Sequence, residues 1–130
     1  MTAAAPASTA SVAQELVTLC RAGRNLEAIS KLYSPKIVSI EPVGDEKMPA
    51  EMTGIDAIRG KNEWWFTDHE VHSSEVIGPL VGEGQFAVKY TWDATSKPTG
   101  QRIRMEEMAL YTVKDGKIVR EQFFYHAPGA

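Results

Sequence analysis

The chain has 130 residues, of which 43% are hydrophobic and 24% are charged, and its formal net charge is -3. This length is that of a single domain with a sizeable core. The mildly acidic composition, without a cluster of Lys and Arg, argues against nucleic acid as a partner. No apolar segment approaches the roughly 20 residues that a membrane span requires, so no membrane partner is expected.

The first ten residues, MTAAAPASTA, are small and uncharged. A secretory signal peptide would have a basic start followed by an apolar core, and neither is present. We therefore expect residues 1–10 to be a disordered leader and residues 11–130 to form one domain. The single cysteine, Cys20, cannot form an internal disulfide, which favours a reducing, cytoplasmic location.

Helices are predicted first along the chain. Ser11 is a suitable N-cap for a helix at residues 12–22, and a second helix is predicted at residues 26–33. The alternation in KIVSIE predicts a strand at residues 36–41, which Pro42 ends because proline donates no backbone hydrogen bond.

The remainder of the chain contains one more helix and a series of strands. An irregular loop is expected at residues 42–54, and IDAIRGKNEWWF predicts a third helix from Ile55. Long strands are predicted at residues 69–80, 85–95, 101–113 and 117–126, and KDGK between the last two is a hairpin signal. Helices followed by antiparallel strands predict an α+β fold. We expect three N-terminal helices packed in a strongly curved antiparallel sheet around a conical, apolar space.

Three segments resemble the nuclear-transport-factor-2-like superfamily, which includes the SnoaL-like proteins and ketosteroid isomerase. They are LYSPKIVSIEPVG, TGIDAIRG and YTVKDGKIVREQFFYH. The resemblance extends over nearly the whole chain after residue 10 and implies a cone-shaped, cystatin-like fold. It also implies a homodimer formed through the outer face of the sheet. Because this superfamily includes enzymes, binding proteins and scaffolds, the fold does not determine the activity.

Glu41 is the first candidate catalytic residue. Relatives in the ketosteroid isomerase family carry an Asp base directly before Pro-Val-Gly, and Glu41 stands before Pro42, Val43 and Gly44 here. The resemblance therefore implies a base that faces into the cavity. From the residues alone, Glu41 is either solvated at a strand end or held at the edge of a cavity.

The residues that stabilise the oxyanion in the ketosteroid isomerase family have no counterparts of the same type at the matching positions of this chain. The position of the oxyanion Tyr falls on Leu16, and the position of a further phenol falls on Asn62. The position of the protonated Asp falls on Met108, or on Glu107 if the hairpin differs by one residue. The family's oxyanion-stabilising groups are therefore absent here or replaced by other residues, so a steroid isomerase mechanism is not supported.

The last predicted strand supplies a second acid. The resemblance implies that one of its faces points into the cavity, namely Val119, Glu121, Phe123 and Tyr125. In such apolar surroundings the pKa of Glu121 would be raised, which suits a catalytic role. Alternatively, Glu121 forms a structural ion pair with Arg104 or Arg120.

Further residues are predicted to line the cavity. Tyr33 and Trp65 are expected there, and His69 is either a general acid in the cavity or a satisfied or solvent-facing side chain. His69 and His72 would point to opposite faces of a strand, so no metal site is expected. No Gly-rich phosphate loop is present, so no cofactor is implied.

Three kinds of function are compatible with these residues. The first is cofactor-free acid–base catalysis by an isomerase, cyclase or lyase on a small apolar carbonyl compound. Glu41 would be the base, and Tyr33, Asn62 or Glu107 would stabilise the oxygen that gains charge. The second is a non-catalytic, dimeric module that binds an apolar ligand, and the third is an assembly domain whose cavity is filled by side chains.

Overall fold

The computed structural model describes residues 7–126, which form three helices and six strands. In chain order these are α1 (Thr9–Arg21), α2 (Asn25–Leu32), β1 (Tyr33–Ile40), β2 (Glu51–Thr53), α3 (Ile55–Asp68), β3 (His69–Val81), β4 (Gln85–Ser96), β5 (Arg102–Lys114) and β6 (Lys117–Phe124). Residues 1–6 of the predicted leader lie outside the described part, and residues 9–10 belong to α1. None of the helices in residues 7–126 is long and apolar enough to cross a membrane.

Helix α1 begins earlier than predicted. Its N-cap is Ser8, whose hydroxyl oxygen accepts the backbone N–H of Ser11 at 3.0 Å. Ser11 instead lies in the first turn, where its own hydroxyl donates to the Ser8 carbonyl at 3.1 Å. Both serines are good capping residues, and the small residues Thr9 and Ala10 allow the helix to extend back to the first of them.

Strand β1 also begins earlier than predicted, at Tyr33 rather than at Lys36. Pro35 disfavours helical geometry at the residue before it, so the helix ends and an extended strand follows. The segment predicted as an irregular loop contains β2, which pairs with β1 through Val38 and Thr53.

All six strands belong to one sheet, in the order β2-β1-β6-β5-β4-β3. β1 and β6 are parallel, and the other neighbouring strands are antiparallel. The KDGK prediction is confirmed, since Asp115 and Gly116 connect β5 to β6 with φ angles of 52° and 76°. Two consecutive positive φ angles give the tight turn that matches the twist of paired strands.

The core lies between the helices and one face of the sheet. Val12, Leu16 and Val17 of α1 are buried together with Phe86 and Tyr111 of the sheet. The rings of Phe86 and Tyr111 stack with their centroids 4.8 Å apart. The α+β class, with three helices and an extended sheet, is as predicted, whereas the cone shape and the strong curvature remain predictions.

A shift in register changes which residues of β6 face the core. The pairing of β5 with β6 shifts between Thr112 and Val113. As a result, Ile118 and Glu121 are both buried, although strict alternation would place them on opposite faces.

Candidate functional site

A cavity of about 440 Å³ lies between the helices and the inner face of the sheet. Most of the residues predicted for the site line it, together with several that were not predicted. The predicted residues are Leu16, Tyr33, Glu41, Asn62, Trp65, Glu121, Phe123 and Tyr125. The structure therefore brings both candidate acids, Glu41 and Glu121, to one cavity.

His69 does not line this cavity. It is the first residue of β3 and is buried against α3, where its ring stacks on the Trp65 indole with the centroids 3.8 Å apart. Its Nδ1 atom lies 2.9 Å from the Trp65 carbonyl oxygen. Of the two roles considered for it, the structure places His69 as a packed, hydrogen-bonded side chain.

Met108 does not line the cavity either, and Glu107 does. Tyr90 is buried in the core and pairs across the sheet with Glu107, so Glu107 faces inward. Met108 faces the other side of the sheet and is 48% exposed, directly opposite Phe124. The position expected for a protonated acid is thus occupied by Glu107, the alternative with the hairpin differing by one residue.

Glu121 is the most deeply buried acid of the cavity, with 1% of its surface exposed. One carboxylate oxygen accepts a hydrogen bond from the Ser39 hydroxyl at 2.8 Å, and the other accepts one from the Tyr33 hydroxyl. Burial raises the pKa of Glu121, while the positive charge of Lys61 and the two hydroxyl donors oppose this effect.

The alternative in which Glu121 pairs with an arginine is wrong. Arg120 donates to Gln122 at 3.2 Å, and Arg104 lies 3.6 Å from Asp93 on the other face of the sheet. Both arginines belong to the outer face because their positions in β5 and β6 alternate with the inward acids.

Lys61 lies in the candidate site, although it was not among the residues predicted from the sequence. Among the lysines of residues 7–126 it alone is buried, with its ammonium group in the cavity. The Nζ atom donates to the Ser39 hydroxyl at 2.7 Å and to Glu41 Oε1 at 3.2 Å. It also lies 5.4 Å from the centroid of the Phe123 ring, at a distance that allows a cation–π interaction.

Two periodicities in the sequence indicated that Lys61 and Ser39 face inward. Lys61 has the spacing from Ile58 and Trp65 that places all three on one helix face, although lysine is usually exposed. Ser39 alternates with Val38 and therefore shares a strand face with Glu41. Periodicity was thus a better guide than residue type at both positions.

Glu41 directly follows β1, where its backbone N–H donates to the Ala50 carbonyl at 2.8 Å. One carboxylate oxygen is held by Lys61. The other, Oε2, is buried and has no hydrogen-bond partner within the part of the chain that the structure describes. Tyr125 interacts with the same carboxylate: burial raises the pKa of its phenol, and the charge of Glu41 and a side-chain contact with it raise this pKa further.

Glu107 faces the same cavity from β5. Its Oε1 atom accepts a hydrogen bond from the Trp92 indole N–H at 3.1 Å. Burial raises the pKa of Glu107 to about 7, and the charges of Glu41 and Glu121 act in the same direction. Near neutral pH, Glu107 therefore exists in both forms, and its protonated form can donate a hydrogen bond.

The raised pKa of Glu107 makes stability depend on pH. The protonated form is favoured by folding, so its contribution is fully present below about pH 4.5 and is lost as pH rises through about 7. We expect Glu107→Gln to remove this loss, so that the variant gains on the order of 3 kcal/mol relative to wild type between these limits. Denaturant unfolding at several pH values measures the difference. Glu106→Gln, at an exposed neighbouring position, is the control, and parallel curves for wild type and Glu107→Gln would contradict the prediction.

These contacts define a site with acids of different character. Glu41 is paired with a cation and has a free oxygen, whereas Glu107 has a raised pKa and only an indole donor. Within residues 7–126, no group of three or more His, Cys, Asp and Glu side chains is arranged to hold a metal ion. The arrangement can accept a proton at one oxygen and donate a hydrogen bond from another group.

The chain matches the SnoaL-like domain family over residues 7–125. A Mesorhizobium loti protein described as a candidate SnoaL-like polyketide cyclase is 39% identical, with a TM-score of 0.86 over 92% of this chain and 100% of that chain. A Xanthomonas campestris protein with a cystatin-like fold is 14% identical, with a TM-score of 0.74 over 93% of this chain and 92% of that one. A nuclear-transport-factor-2-like protein of Burkholderia pseudomallei is 13% identical, with a TM-score of 0.73 over 92% of each chain.

No protein with a curated function matches this chain. The family match covers nearly all of the described residues, and the Mesorhizobium loti relative is similar over its whole length. Both agree with the resemblance in the helix, strand and hairpin segments of the sequence. The chain is therefore a member of the SnoaL-like domain family, and it shares its fold with a nuclear-transport-factor-2-like protein.

Proposed function

We propose that this protein is a cofactor-free acid–base enzyme that acts on a small apolar carbonyl compound as an isomerase, cyclase or lyase. Glu41 removes a proton from the carbon next to the carbonyl group. Glu107, in its protonated form, donates a hydrogen bond to the carbonyl oxygen as that oxygen gains negative charge. The observation that carries this proposal is that two acids line one cavity: Glu41, one of whose oxygens has no hydrogen-bond partner among residues 7–126, and Glu107, whose pKa is raised to about 7.

The physical basis is stabilisation of an enolate in a site of low polarity. A hydrogen-bond donor aimed at the developing charge is worth more where water is excluded. In ketosteroid isomerase an acid kept neutral by apolar surroundings has this role. Burial favours the protonated form of Glu107 by the same physics, although a glutamate stands here and the tyrosine of that oxyanion hole is absent at Leu16.

The lining of the cavity supports an apolar substrate. Nine aromatic side chains contribute to it, including Trp64, Trp92 and Phe123, and they offer flat surfaces to a ring or a conjugated chain. We also propose that the helices and the sheet form a cone-shaped enclosure, with Glu41 and Glu107 on its inner wall. The Mesorhizobium loti relative is described as a candidate polyketide cyclase, and ring closure by such chemistry also begins with proton removal next to a carbonyl group.

The proposal is tested by proton exchange, which requires no knowledge of the natural substrate. Small ketones such as cyclohexanone and α-tetralone are incubated with the protein in D₂O, and loss of the α-proton signal is followed by NMR. We expect exchange faster than in buffer alone. Binding of these ketones, seen by saturation transfer, without faster exchange would instead support the alternative of a non-catalytic module for apolar ligands.

We also propose a homodimer formed through the outer sheet face. Met108 and Phe124 lie opposite each other on that face and are 48% and 43% exposed, which leaves an apolar pair for a partner to cover. Sedimentation at micromolar concentration should give twice the chain mass of 14.3 kDa. Phe124→Lys is expected to shift the protein toward the monomer, and a monomeric wild type at this concentration would contradict the proposal.

A further inference from the structure

The ammonium group of Lys61 connects two carboxylates. It contacts Glu41 Oε1 directly at 3.2 Å, and it contacts the Ser39 hydroxyl at 2.7 Å. Ser39 in turn lies 2.8 Å from Glu121 Oε1 and is fully buried. One cation is thus linked to an acid at the cavity wall and, through one hydroxyl, to an acid in the core.

The order of these hydrogen bonds fixes where the protons are. An ammonium group only donates, so the Ser39 oxygen accepts from Lys61, and the single Ser39 proton is left for Glu121. The Tyr33 hydroxyl donates to the other Glu121 oxygen. Both oxygens of Glu121 are therefore acceptors. Protonating Glu121 would leave one hydroxyl proton without an acceptor among the described residues, at a cost that burial makes high.

Acidic side chains outnumber basic side chains around the cavity that contains the Lys61 ammonium group. The acids that line the cavity are Glu41, Asp45, Glu107 and Glu121, and it is also lined by the phenols of Tyr33, Tyr90, Tyr111 and Tyr125 and by the thiol of Cys20. Lys61 is the only basic side chain among the residues that line it in the described part of the chain. A single positive charge therefore has to balance more than one buried negative charge.

We propose that Lys61 is a positioning residue whose one charge serves two carboxylates, Glu41 directly and Glu121 through Ser39, so that both are ionised and Glu107 holds the proton of the glutamate cluster. This inference rests on the proposed function, because it explains why Glu41 is the base and Glu107 the donor. Lys61 acts through its neighbours and does not itself need to touch the substrate.

Removing this charge has a defined effect. In Lys61→Met two buried carboxylates lose their common partner, and desolvation then favours protonation of at least one of them. Ser39→Ala removes only the link to Glu121 and leaves the contact with Glu41. Lys61→Arg keeps the charge, and Lys89→Met removes an exposed lysine that pairs with Glu106 on the outer face.

The experiment is a pH titration of the glutamate side-chain carboxyl carbons by NMR in protein labelled at that carbon. In wild type we expect Glu107 to titrate near pH 7 and Glu121 to be ionised there, each assigned through its glutamine variant. Lys61→Met should raise the pKa of Glu121 by about one unit or more. Ser39→Ala should also raise it, whereas Lys61→Arg and Lys89→Met should resemble wild type.

Three results would overturn the inference. The first is protonation of Glu121 at neutral pH in wild type, and the second is a titration of Lys61→Met that matches wild type. The third is an unchanged pKa of Glu121 in Ser39→Ala. If Lys61→Met fails to fold, the Ser39→Ala and wild-type titrations decide the question. Because titration needs no turnover, absence of ketone exchange would reject the proposed function alone, and a wild-type-like Lys61→Met titration would reject this inference alone.

Discussion

Replacing Glu41 with glutamine is expected to lower protein-catalysed exchange of ketone α-protons by about 10²- to 10⁴-fold, the usual contribution of a positioned general base. The amide is similar in size to the carboxylate and can still accept the Lys61 hydrogen bond, but its oxygen is far too weak a base to remove a carbon-bound proton. The NMR exchange assay gives the rate, and denaturant unfolding shows whether the variant remains folded.

The matched control for Glu41→Gln is Glu106→Gln, which makes the same change at a side chain that is 71% exposed on the outer face. Its exchange rate should equal that of wild type. If Glu41→Gln exchanged ketone protons as fast as wild type while remaining folded, Glu41 would have no part in the chemistry. A loss of exchange in both variants would indicate a general effect of charge rather than a base at position 41.

Replacing Glu121 with alanine is expected to lower the free energy of unfolding by about 3–5 kcal/mol, a large share of the roughly 5–15 kcal/mol available to a small domain. The Tyr33 and Ser39 hydroxyls would lose their acceptor in the core, and Lys61 would lose one of the two negative charges linked to it. Glu121→Gln keeps the shape and one acceptor oxygen, so it should cost less.

Chemical denaturation at neutral pH measures these differences. Glu106→Ala serves as the exposed counterpart and should change stability by no more than about 0.5 kcal/mol. Equal stability of Glu121→Ala and Glu106→Ala would mean that the buried hydrogen bonds of Glu121 contribute nothing net. That result would also contradict the assignment of Glu121 as an acceptor at both oxygens.

The elements of the fold followed from short-range chemistry, and the site followed only in part. Helical spacing, strand alternation and the Asp115-Gly116 turn are local properties, so the three helices and the long strands were predictable. The Glu-Pro step after β1 left Glu41 either solvated or at the edge of a cavity, and the family resemblance implied that it faces the cavity. Leu16, Asn62 and Tyr125 line the cavity as expected because each lies on the inward face of its element.

Cross-strand pairing decided the remaining positions. Whether Glu107 or Met108 faces inward depends on which residue pairs with Tyr90, and a shift by one residue exchanges the two faces. The register shift before Val113 likewise turns Ile118 toward the core, where strict alternation with Glu121 would have placed it on the outer face. Lys61 was missed because a lysine becomes a core residue only when acids from distant strands surround it.

The parallel pairing of β1 with β6 makes assembly of the site depend on two strands that are far apart in the sequence. Ser39 lies opposite Glu121 across this pair and bonds to it over a separation of 82 residues. Contacts of such high order form slowly, and a nascent chain presents β1 with an open edge until residues 117–124 emerge. Ser39 and Glu121 can therefore lose their hydration together only when β6 pairs with β1.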